Sequence, residues 1–139
     1  MANAEESDAL HVSEGTPLVK VSRVIDAEKR PVAYLTDILP PHILPEAELD
    51  SDFTGSVLDL MLKQGTPKLS RSFTDLQAVS ASAEIAKKLE IKRGDVLLLF
   101  IARLYDENGV VVDYSSSYFL PGYFRFHVVR RVESINGII

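Results

Sequence analysis

Cysteine is absent from all 139 residues of this chain. That excludes a disulfide scaffold and a thiolate metal site, and it fits a reducing cytoplasm. Long apolar runs are missing as well. The longest, such as Val96 to Ala102, falls far short of the roughly 20 residues that a membrane-spanning helix needs, so no membrane partner is expected. The N-terminal Met-Ala-Asn-Ala-Glu-Glu is acidic and lacks an apolar core, unlike a secretory signal. Positive charge is scarce: 15 Lys and Arg against 20 Asp and Glu leave a net charge of −5. The one basic run, His127-Val-Val-Arg130-Arg131, sits in a strand-like pattern. Nucleic acids are gripped by clustered cations that neutralise phosphates, so the chain alone is not expected to hold DNA. Catalytic signatures are lacking too. There is no Gly-rich phosphate loop, nucleophile elbow or zinc motif, and His11, His42 and His127 have no metal-ligand spacing. No cofactor or metal is implied, and nothing points to catalysis.

What is present is ordinary for a soluble globular protein, with 46% hydrophobic and 25% charged residues. The length suits one domain spanning residues 1–139, burying roughly two-thirds of the surface of its unfolded chain. Residues 1–3 and 133–139 are expected to be loose. Within the domain the chain nearly repeats itself. Leu10 to Pro40 resembles Leu89 to Pro121. Leu10 matches Leu89, and Gly15 matches Gly94. With one residue of slip Arg23 matches Arg103, Asp26 matches Asp106 and Tyr34 matches Tyr114. A period of about 80 residues is too long for a solenoid, so the two copies read as halves of one domain.

Each half predicts a short helix, a turn and a hairpin. Asn3-Ala-Glu-Glu6 has capping-box spacing and opens a helix ending near Leu10. Leu18 to Ile25 alternates as a half-buried strand does, Asp26 to Arg30 is a polar turn, and Pro31 to Leu39 returns. Pro40-Pro41 and Pro45 end regular structure. Asp52 or Thr54 would cap a second helix with an apolar stripe of Val57, Leu58, Met61 and Leu62, closed by Gly65 and Pro67. Lys68 to Val79 reads as a strand and Ala83 to Leu89 as the second copy of the helix. Val96 to Tyr105 reads as a central strand, Asn108-Gly109 as a tight turn and Val110 to Leu120 as its return. Phe124 to Val132 would close a sheet of about six strands. Hairpins with inserted helices give an α+β antiparallel sheet with an internal pseudo-repeat.

Candidate functional residues lie on these strands. Arg23 and Arg103 sit inside hydrophobic strands, and a buried arginine must find an anion. That anion is an internal carboxylate, Asp37 or Asp113, or else a ligand. Asp113, Ser115, Ser117 and Phe119 alternate, so they share one face, which is either a cavity wall or a solvated surface. Tyr114, Tyr118 and Leu120 take the other face as core or interface. Thr54-Gly55-Ser56 precedes the second helix, where backbone N–H groups favour an anion, although capping explains the same residues.

Together Leu10-x-Val-x-Glu-Gly15-x-Pro-Leu-Val, Arg23-Val, Pro31-Val-Ala-Tyr34, Ile38-Leu-Pro40, Leu89-x-Ile-x-x-Gly94 and Asp106-x-x-Gly109 resemble the UTRA domain. This is the effector-sensing domain of HutC-type regulators in the GntR family, and the resemblance runs from Ala4 to Arg131. It implies a chorismate-lyase-like fold, a small-molecule pocket and a homodimer, with DNA bound only through a winged-helix domain that this chain lacks. It also implies a fragment, because the family's first strand is missing. In members that sense amino-sugar phosphates, an Arg-x-Arg strand and a Ser-x-Tyr at a helix start hold phosphate. Here those read Arg23-Val-Ile25 and Ser56-Val-Leu58. A ligand-binding Glu falls on Leu35, a later Glu on Asp113, the Tyr beyond it on Phe119, and an Asp on Gly122. The resemblance therefore implies a ligand site of Arg23, Ile25, Leu35, Gly55, Ser56, Leu58, Asp113, Ser115 and Phe119. Its effector would be an anionic metabolite smaller or more apolar than a sugar phosphate, with Arg23 as charge partner. The same fold resemblance reaches chorismate lyase, the enzymatic alternative. A dimerisation module without a ligand is the third reading.

Overall fold

A computed structural model describes residues 1–44 and 55–132. Along the chain it has α1 (Ala4–Leu10), β1 (Val19–Ala27), β2 (Arg30–Leu39), α2 (Val57–Gln64), β3 (Leu69–Ser80), α3 (Ala83–Leu89), β4 (Val96–Asp106) and β5 (Val111–Phe119). The strands form one sheet in the order β1-β2-β5-β4-β3, with every adjacent pair antiparallel. Helices α1 and α3 cover one face, where Leu10 packs with Ile38 and Tyr114 and Leu89 packs beside Tyr34 and Tyr118. Helix α2 covers part of the other face, its Val57 and Met61 lying among Val19, Val21, Leu39 and Val112.

The two halves are built alike down to individual bonds. The Ala2 N–H donates to the Thr16 carbonyl at 2.7 Å and the Gly15 N–H to the Ala2 carbonyl at 2.8 Å. Seventy-nine positions later Ala81 donates to Asp95 at 2.7 Å and Gly94 to Ala81 at 2.8 Å. Both alanines are buried. Gly15 and Gly94 hold φ of +84° and +92°, a region that costs an L side chain strain. These bonds also hold Ala2 in place, and Asn3 caps α1 with the full reciprocal pair to Glu6, at 2.8 and 3.0 Å. The expectation of a loose start therefore does not describe residues 2 and 3. The matching strand order is a pseudo-two-fold between β2 and β5: β1 corresponds to β4, β2 to β5 and α1 to α3.

Other expectations shift. The first hairpin turns on Glu28 and Lys29, both at positive φ (53° and 65°), so β1 runs on to Ala27 and β2 starts at Arg30. Two left-handed turn residues twist with the strands, which a polar five-residue turn would not do. In the second hairpin Gly109 alone is left-handed, at φ 80°, and the Asp106 carboxylate accepts from the Asn108 and Val110 N–H groups at 2.9 Å each. Ser56 caps α2 by accepting from Asp59 N–H at 3.1 Å; the expected caps Asp52 and Thr54, and the Pro45 stop, lie outside the described residues. The buried stripe of α2 is Val57 and Met61, while Leu58 and Leu62 are 43% and 59% exposed. Strand β5 is the centre of the sheet, and β4 lies one place outward. Residues 124–132 form no strand, so the described residues hold five strands where about six were expected. Phe124 and Phe126 instead pack their rings on Phe119, at 4.8 and 4.9 Å between centroids. The tail expected to be loose from residue 133 lies outside the described residues.

Tyr114 ties α1 to the sheet. Its hydroxyl donates to Glu5 Oε1 at 2.5 Å, and burial first, then that acceptor, push its pKa up to about 12. Tyr114→Phe leaves the packing and removes the bond, and should lower stability by about 1 kcal/mol in urea unfolding.

Candidate functional site

Antiparallel partners share a face, so the registers place the candidate residues directly. On the face opposite α1 and α3, Arg23 stands across from Leu35 and Leu35 across from Ser117. Asp37 faces Ser115, and Ile25 faces Ala33, which faces Phe119. Asp113 lies two residues from Ser115 on that same face, across from Leu104. Six of the nine expected site residues, Arg23, Ile25, Leu35, Asp113, Ser115 and Phe119, therefore come together on one surface. Ser56 spends its hydroxyl oxygen as the α2 cap, and Gly55 precedes it in an exposed position. Leu58 turns to solvent, because a residue one position from Val57 is rotated about 100° from the packed side.

Arg23 is buried and donates from Nη1 to Asp37 Oδ2 at 2.5 Å, an ion pair whose side chains are 5% and 10% exposed. Its diagonal position across β1 and β2 makes the contact possible. The internal carboxylate is thus found, in Asp37. Asp113 is the third buried charged residue. Burial foremost, then the adjacent Asp37 carboxyl, hold its pKa well above the ordinary carboxylate value. Arg23 and the Ile38 N–H pull the other way and do not prevail. Burial and a neighbouring carboxyl both favour the protonated form of Asp113, since two anions side by side in a dry site repel. Asp113 Oδ1 is buried and has no hydrogen-bond partner among the described residues. A buried polar atom without a partner is costly.

The polar cluster continues into a half-buried patch of Leu35, Ser115, Ser117 and Ile25. Beyond it lies an aromatic group in which Phe119 meets Phe100 edge-on at 5.0 Å. A cavity of about 290 Å³ lies elsewhere, lined by Leu10, Val12, Pro40, Ile43, Val110 and neighbours that include His11 and His42. It contains none of the expected site residues.

Arg103 does not repeat the role of Arg23. It pairs with Tyr114, on the helix-covered face, so Ala102, opposite Ser115, is the true counterpart of Arg23. The one-residue slip between the halves falls after the first strand of each hairpin, not before it, and a one-residue slip reverses the face. The Asp37–Asp113 contact was not foreseen. It depends on β2 lying beside β5, strands separated by more than seventy residues, and no local pattern signals that neighbour.

The family model described as the UTRA domain matches residues 1–125. Among solved structures, a GntR-family transcriptional regulator from Enterococcus faecalis V583 aligns with a TM-score of 0.80 at 25% identity, over 92% of this chain and 91% of that one. PhnF from Mycobacterium smegmatis aligns at 0.84 and 20% identity, over 95% of this chain and 58% of that one. The effector domain of the same PhnF aligns at 0.80 and 20% identity, covering 94% and 80%. The last two show likeness of fold. Among curated proteins none matches the chain.

Two stability measurements probe the cluster. Arg23→Met leaves Asp37 buried without its cation and should cost about 3–5 kcal/mol, much of it regained when Asp37→Leu is added. Unfolded, Asp113 loses its proton near 3.8, while folded it keeps that proton to higher pH. In that window the folded chain carries the extra proton, so this residue's contribution falls as pH rises and levels off above the folded pKa. Asp113→Asn removes the effect, and its advantage over the wild type should grow upward from about pH 4, by at most roughly 1.4 kcal/mol per pH unit.

Proposed function

The chain belongs to the UTRA domain family, and from that premise we propose that it is the effector-binding and dimerisation domain of a bacterial GntR-type regulator of the HutC subfamily. It acts in the cytoplasm as a homodimer, and DNA is contacted by a separate winged-helix domain. The regulator from Enterococcus faecalis and the PhnF effector domain, both similar over most of this chain, support that role.

The observation that carries the ligand reading is the buried, unpartnered Asp113 Oδ1 beside the Arg23–Asp37 pair. A ligand N–H or O–H there would satisfy the atom. The effector is a small anionic metabolite with an apolar part. Its acidic group engages Arg23 in exchange for, or beside, Asp37. Burial favours the protonated form of Asp113, which keeps a second negative charge out of its way. Ser115 bonds its polar atoms, and Leu35, Ile25 and Phe119 enclose its apolar body. Binding reaches DNA through unequal affinity for two arrangements of the dimer, since a ligand shifts only an equilibrium whose two states it binds differently.

Thermal unfolding of the chain with sugar phosphates, short organic acids and fatty acids tests the ligand class. Stabilisation by an organic acid is expected, and a large shift with glucosamine 6-phosphate alone contradicts the apolar-anion assignment. In calorimetric titration below the melting temperature of the variants, Arg23→Ala should weaken binding by about 1–3 kcal/mol and Ser115→Ala by about 1 kcal/mol. Unchanged affinity removes the residue from the site.

A further inference from the structure

Strand β3 is twelve residues long and, among the described residues, lies at the edge of the sheet and pairs only with β4. Both its faces are open: Phe73 on one is 55% exposed and Leu76 on the other 56%. Edge strands are normally kept short, interrupted by proline or studded with charge, because their free N–H and C=O groups recruit further strands. This one holds no proline, its single irregularity lies at its start between Leu69 and Arg71, and its only charged residues are Arg71 and Asp75.

Those two charges flank Phe73 symmetrically. Arg71, Phe73 and Asp75 lie across from Tyr105, Arg103 and Ile101 and so share one face. When two copies of an antiparallel strand meet about a two-fold axis normal to the sheet, faces are preserved and the axis passes through one residue position. With the axis at Phe73, Arg71 falls opposite Asp75 of the partner subunit, and the converse pair forms by symmetry. Phe73 then meets its own counterpart. No other two-fold register sets opposite charges directly across from each other.

We propose that β3 is the dimerisation edge, joining a second copy antiparallel about Phe73 so that two five-stranded sheets become one continuous sheet with two Arg71–Asp75 cross-pairs. The inference rests on the homodimer stated above and names its surface. Arg71 stacks its guanidinium on the Tyr105 ring, 4.3 Å from the centroid, which leaves the N–H edge of that plane for the partner carboxylate. Backbone pairing supplies the attraction, and the charge pattern selects the register.

The full chain is tested by sedimentation equilibrium. Arg71→Asp alone should weaken the dimer by about tenfold or more, because like charges then face each other, and adding Asp75→Arg should restore it. The chain has no cysteine, so Phe73→Cys introduces one thiol that the proposed register places against its own copy. Oxidation should link this variant into a covalent dimer far faster than Gln77→Cys. A wild-type dimer that is indifferent to the charge reversal, or that links no faster through position 73 than through 77, overturns this surface while leaving the homodimer in place. A wild type that stays monomeric at about 100 µM overturns both. Neither result bears on effector binding, which is titrated separately.

Discussion

The pairing of β2 with β5 is the constraint on which the molecule depends. Each half of the chain can build a helix and a hairpin from its own neighbours, but neither hairpin buries a face alone. Laying β2 against β5 joins them about the pseudo-two-fold, puts α1 and α3 side by side on one surface, and sets Asp37 across from Ser115. The buried cluster of Arg23, Asp37 and Asp113 exists only because that ladder exists. Arg23 and Asp37 come from the first half and Asp113 from the second.

The halves have diverged most on the face that α1 and α3 leave uncovered. Their Ala2–Gly15 and Ala81–Gly94 clips agree bond for bond, since these serve folding and a change would cost both halves alike. On that face, which α2 covers only in part, Arg23 corresponds to Ala102. A symmetric face would carry two guanidiniums, whereas this one is polarised: an ion pair on the β1 side, a buried carboxyl and serines at the centre, and aromatic rings toward β4. Such polarity suits a ligand with a charged end and an apolar end. The buried charges come at a cost that apolar residues would have avoided, which fits a specificity role better than a stability role.

Legibility varied with the range of the interaction. Capping and hairpin turns are local, and Asn3, Gly15, Gly94 and Gly109 were readable as punctuation. The alternation of β5 correctly placed Asp113, Ser115 and Phe119 on one face. Errors arose where neighbours decide. The α2 stripe included Leu58 and Leu62 because hydrophobicity marks candidates for burial without saying which flank meets the sheet. The strand expected at 124–132 has the right alternation, yet its phenylalanines found ring partners on Phe100 and Phe119 and no ladder. The repeat is legible in the sequence, but the position of its one-residue slip is not, and without that position Arg103 looks equivalent to Arg23.

By itself the amino-acid sequence determined the α+β class, the doubled helix-and-hairpin plan and the likeness to effector-sensing domains, because caps, turns and period-two alternation act over a few residues. Only the tertiary structure decided which arginine is buried, which carboxylate partners it and which edge is left open. Those outcomes follow from the β1-β2-β5-β4-β3 order. Strand order is a long-range choice, set by how two apolar faces close on each other, and no short stretch of chain encodes it.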